Sequence, residues 1–101
     1  MISEEEFVTL ISEHKKWYDR ITQVCDVLKI DIFDSDWIEY GSLLFERTIS
    51  LLFKEEAQDN IFWWLWEKDR RPDMKMWDAS GKEIPTETIE DLWEIVKDNR
   101  K

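Results

Sequence analysis

The sequence predicts a mainly α fold: about four helices in a compact bundle, with one small β-hairpin before the last helix. Three observations predict it. Only two Gly and two Pro interrupt 101 residues, which favours long helices over a many-turned β fold. Apolar residues recur at steps of three and four through the first third of the chain. A single stretch, around Gly81, has strand-like residues on both sides of a turn. With 43% hydrophobic and 38% charged residues, the composition is that of a globular chain, and its length suits one domain spanning 1–101.

The first helix opens at Ser3, where Ser3 and Glu6 have capping-box spacing and Ile2 with Phe7 has that of a hydrophobic staple. Phe7, Leu10, His14, Trp17, Ile21, Val24 and Leu28 then form a stripe, widened by Ile11, Tyr18 and Cys25. That periodicity spans about seven turns. A polar connector follows, Asp31 to Asp36, in which Asp34, Ser35 or Asp36 can cap a second helix over about Trp37 to Glu56. Trp37, Gly41, Leu44, Thr48, Leu51 and Leu52 make its stripe, with Ile38, Phe45 and Ile49 beside it.

Asp59 or Asn60 is the candidate cap of a third segment, Ile61 to Trp66, which reads better as a short buried helix than as a strand. Arg70-Arg71-Pro72-Asp73 breaks the chain. Met74, Met76 and Ile84 flank the turn Asp78-Ala79-Ser80-Gly81, with Gly81 supplying a positive φ. After Pro85, Thr86 or Thr88 caps a last helix whose face is Ile89, Leu92, Trp93 and Val96.

Charge narrows the function. A net charge of −10 repels phosphate backbones and anionic lipid surfaces, which disfavours direct nucleic-acid and membrane binding. A protein with a basic surface is the natural partner. Residues 31–67 hold nine acidic and two basic side chains, whereas residues 68–101 hold nine and eight, so negative charge concentrates mid-chain. A solvated face that merely aids solubility explains this as well as an acidic docking surface does.

The lone Cys25 points to a reducing, cytoplasmic setting and, with a single His, excludes Cys₄ and Cys₂His₂ zinc sites. The N-terminus is acidic where a signal peptide is basic, and the longest apolar run, Ile61 to Trp66, is far below the roughly 20 residues a bilayer requires.

Catalytic chemistry finds no constellation. His14 and Cys25 lie eleven positions apart on one helix, about 16 Å, where a thiolate–imidazole pair needs about 3 Å. Cys25 reads as a small buried apolar residue, and His14 as a hydrogen-bonded or partly exposed one. The acidic runs starting at Asp31 and Asp78 fail the calcium-loop template, which needs Gly at its sixth position and Glu at its twelfth. No Gly-rich phosphate loop or serine elbow is present. The expectation is a non-enzyme without metal or other cofactor.

Seven tryptophans are mostly accounted for by packing. Trp63, Trp64 and Trp66 cannot all point inward from one regular element, so at least one should be partly exposed and available as a contact. The candidate protein-contact residues are therefore Asp36, Glu39, Glu46 and Glu56 for charge, with Trp64 and Trp66 as anchors.

Asp31 to Ser35, Trp63-Trp64, and Asp78-Ala79-Ser80-Gly81-Lys82-Glu83-Ile84 with Thr88, Leu92 and Ile95 resemble a group of small acidic proteins encoded in bacteriophage and prophage genomes. The resemblance covers roughly residues 30–98. It implies a genomic context and no catalytic residues, because that group has no assigned activity. What it implies is an accessory protein modulating a host protein in the bacterial cytoplasm, one version being nucleic-acid mimicry. The alternatives are a structural or oligomeric phage assembly protein and, disfavoured, an uncharacterised enzyme. Oligomeric state stays open.

Overall fold

The structure, a computed structural model, describes residues 1–31, 36–68 and 71–101, without the side chains of 36–41. The fold is the expected one: among the described residues, four helices, with a two-stranded antiparallel hairpin before the last. They are α1 (Glu4–Leu28), α2 (Asp36–Leu52), α3 (Glu55–Phe62) running into a π-helical turn (Trp63–Glu67), and α4 (Ile89–Val96). The hairpin, β1 (Met76–Trp77) and β2 (Glu83–Ile84), pairs Met76 with Ile84 and Trp77 with Glu83.

Local chemistry sets most boundaries. Ser3 Oγ accepts from Glu6 N at 3.2 Å while Ser3 N donates to Glu6 Oε1 at 3.0 Å, closing the capping box of α1. Ile2 is buried behind it. Lys29 ends α1 in the left-handed region at φ 58°, and Ile30 N donates to Cys25 O. Thr88 and Asp91 form a second reciprocal box at α4. Gly81 takes φ +84° in the hairpin turn, a conformation in which a Cβ is strained.

Two boundaries differ from the sequence reading. α2 stops at Leu52, because Phe53 forms a bridge with Arg100 and the last residues pin the joint beyond it. Lys54 N donates to Asn99 O at 2.7 Å and Lys101 N to Leu52 O at 2.9 Å. α3 consequently begins at Glu55, with Asp59 and Asn60 inside it rather than capping it. Its own N-cap, Lys54, supplies no side-chain hydrogen bond. The candidate caps Asp34 and Ser35 lie outside the described residues.

The core joins Phe7 and Ile11 of α1, Phe45 and Ile49 of α2, Phe53, Ala57 and Ile61, and Leu92, Trp93 and Val96 of α4. Phe7 meets Phe53 edge-on at 5.6 Å and Trp93 at 5.3 Å. Burying such side chains contributes roughly 1.5–3 kcal/mol each.

α2 buries a different face from the one its stripe suggests, and α1 buries only part of its own. α1 buries Phe7, Ile11, His14 and Cys25, leaving Val24, Val27 and Leu28 exposed at its far end. α2 buries Phe45 and Ile49, while Leu44 and Leu51 stand in solvent at 70% and 77% exposure. Both helices are apolar over a wide arc, and the arc covered depends on the neighbour.

Candidate functional site

Along α3 and its π-helical extension, the chain gathers the features that bear on binding. α3 opens with Glu55 and Glu56, which favour its positive N-terminal end, and Asp59 follows one turn later. All three are exposed. Ion pairs among the described residues join Lys16 to Glu13, Lys68 to Glu87, Lys75 to Glu83 and Lys97 to Glu94, and none engages these three. Glu55 and Asp59 are like charges at i, i+4, an arrangement that destabilises a helix by a few tenths of a kcal/mol. Glu46 of α2 is half-buried and likewise outside those pairs. Glu56, the second acidic candidate with a described side chain, is exposed on α3; the side chains of Asp36 and Glu39 lie outside the described residues.

The π-helical turn distributes the clustered tryptophans. Trp64 is buried, and its indole N–H donates to Thr86 O at 2.8 Å. That removes Trp64 as a surface anchor: the wider turn rotates it under the loop before α4, where its polar edge finds a backbone acceptor. Trp63 and Trp66 are half-buried, as the crowding of three indoles requires. Trp66 stacks on Phe62 at 5.0 Å and 10°. Among the tryptophans whose side chains are described, solvent reaches Trp77 on β1 most, at 59%. Sequence reasoning missed it, although a two-residue strand on a hairpin has one face with nothing to pack against.

Lys68 follows the π turn and is itself buried. Its ammonium donates to Thr86 O and to Thr86 Oγ1, the latter at 2.9 Å, and lies 3.6 Å from Glu87. Beside it opens a cavity of about 180 Å³ lined by Lys15, Trp64, Leu65, Lys68, Pro72 and Glu87. Lys15 Nζ sits 5.4 Å above the Trp64 ring. These donors fasten the π turn to the approach of α4.

His14 is buried rather than hydrogen-bonded or partly exposed. Its ring stacks on Phe45 at 3.8 Å and 14°, and Nε2 has no hydrogen-bond partner among the described residues. Burial holds its pKa down at about 4. Cys25 is buried and free, as an apolar residue would be.

At the hairpin, Asp78 Oδ1 accepts from Ser80 N, Ser80 Oγ and Lys82 N, so its oxygen organises the turn. The Ser80 hydroxyl, then the Lys82 amide, hold its carboxyl below the usual range. Among the described residues no group of three or more His, Cys, Asp or Glu is placed to hold a metal ion. None of the described helices is long and apolar enough to cross a membrane. Comparison with protein-family models, with curated proteins and with solved structures gives no match.

Proposed function

We propose that the chain is a small, acidic, non-enzymatic module that binds a protein with a basic surface. The exposed acidic face of α3 carries this reading: Glu55, Glu56 and Asp59 share one helix surface and are engaged by none of the ion pairs described above. Retaining like charges one turn apart opposes the helix slightly, which fits a surface kept for a partner's lysines and arginines. Trp66 and Glu46 are the accompanying contacts from the sequence reading. The resemblance to phage proteins makes a host protein in the bacterial cytoplasm the natural target, and nucleic-acid mimicry one form the contact would take.

Capture from bacterial lysate at about 50 mM and about 500 mM salt tests the reading, because screening shortens from about 10 Å at 0.1 M to about 3 Å at 1 M. A partner should be retained at low salt and released at high salt. Glu56→Lys with Asp59→Lys should weaken capture through slower association while leaving the melting curve in place. Equal capture at both salts would reduce the acidity to solubility.

A further inference from the structure

Sequence and packing leave α2 with two apolar faces, and only one is used. Phe45 and Ile49 face the core. The second face is a row: Leu44, Thr48 and Leu51, at steps of four and three, with the half-exposed Leu43 beside it. That spacing is the seam of a helix–helix contact.

The hydroxyls on this side are consumed by the helix itself. Thr48 Oγ1 donates to Leu44 O at 2.9 Å, which leaves its methyl to the row, and Ser50 Oγ donates to Arg47 O at 2.8 Å. The row is therefore more apolar than its sequence suggests.

Its border is basic. Arg47 is three residues after Leu44 and four before Leu51, so it flanks both leucines, and it is exposed. Lys101 Nζ donates to Ser50 O at 2.7 Å, and Lys54 stands exposed just past the end of α2. None of the ion pairs among the described residues engages these three cations. In a chain of net charge −10, this is a leucine row with Arg47 and Lys101 along one side of it.

We infer that this face docks an amphipathic helix of a partner protein, one whose apolar stripe is bordered by Asp or Glu. The row supplies the knobs-and-holes register, and the basic border selects the flanking charge. A second copy pairing through the same row would bring Arg47 up to another Arg47, because that residue lies near the middle of the row in either direction. This surface is separate from the acidic face of α3 and asks for a partner of the opposite sign.

Two labelled helical peptides of about 21 residues test it against the full chain. Both carry leucine at the seam, one with glutamate on its flanks and one with lysine. Fluorescence anisotropy should show saturable binding of the glutamate peptide, tighter by about tenfold or more than the lysine peptide. Leu44→Ser with Leu51→Ser should abolish it with an unchanged circular dichroism spectrum. Arg47→Glu should reverse the preference, and that exchange decides the matter should the double variant melt early. Asp59→Asn should leave the affinity within about twofold, which separates this surface from the acidic one. No saturable binding, equal affinity for both peptides, or indifference to the leucine substitutions would overturn the inference. So would a concentration-dependent dimer in sedimentation that the leucine substitutions dissolve, because a second copy would then occupy the face.

Discussion

The Arg100 guanidinium donates to the carbonyl of Ile2 at 3.0 Å across 98 positions of sequence. Its Nε also donates to Lys97 O at 2.6 Å, and the guanidinium lies 5.0 Å from the Trp93 ring centroid. One side chain thus ties the approach to α1 to the end of α4, beside the bridge that Phe53 makes with the same residue. Arg100→Ala should destabilise the chain by about 1–3 kcal/mol, from lost charged hydrogen bonds and ring contact. Urea unfolding measures it. A loss below about 0.5 kcal/mol would mean the tail frays in solution.

The start of α1 rests on its cap. Ser3→Ala removes the acceptor for Glu6 N and should cost on the order of 1 kcal/mol, with Ser3→Asp recovering most of it. Thermal melting of the three proteins checks the order. Equal melting temperatures would place the first helical turn elsewhere.

The other end of α1 stores strain. Lys29 has a side chain at φ 58°, where glycine is free of the Cβ conflict. Lys29→Gly should stabilise the chain by roughly 0.5–1 kcal/mol, although glycine gives the unfolded chain more freedom. A higher urea midpoint at constant slope is the expected result, and a lower midpoint would show that Lys29 makes compensating contacts.

His14 gives the fold a pH dependence of definite sign. In the unfolded chain the imidazole titrates near its ordinary 6.5, whereas burial lowers it to about 4 in the fold. Between those values the unfolded chain holds more protons, so stability falls as pH drops from 6.5 towards 4 and levels off below. The full loss is up to about 3 kcal/mol. Carboxylates add their own acid loss: Glu6, held low by the Ser3 backbone amide and then its hydroxyl, stabilises above its unfolded value of 4.5 and weakens below it. His14→Phe should flatten the slope between pH 6.5 and 5, and should stabilise the chain at pH 7 by about 1 kcal/mol, because no buried nitrogen is then unpaired. A variant with the parent's slope would show that His14 is solvated.

What the sequence made legible is what local chemistry decides. Ser3 with Glu6 and Thr88 with its following acids name two helix starts, and Gly81 names the hairpin turn, because each satisfies backbone groups within four residues. The covered face of α2 was not legible. Leu44 and Phe45 are adjacent apolar residues, and which one is buried depends on where α1 and α3 lie. Nor was the break at Phe53, whose cause is a tail residue 47 positions away. Trp64 illustrates both limits: its crowding with Trp63 and Trp66 is visible, but its acceptor on Thr86 is a long-range accident of the fold. Of the candidate contact residues, the sequence could place Glu56 on a surface by its polarity, whereas the free leucine row needed the neighbours.

A π-helical turn closes with one residue more than the α turn it replaces, and here Lys68 N reaches back to Trp63 O to close it. The extra residue works as a spacer in register. Were these five residues to wind in α geometry instead, everything after them would swing by about 100° around the helix. Lys68 would leave Thr86, and the indole following Trp63 would lose its carbonyl acceptor. The segment should therefore accept substitution of its half-buried tryptophans far more readily than an inserted residue, which would turn Lys68 and all that follows.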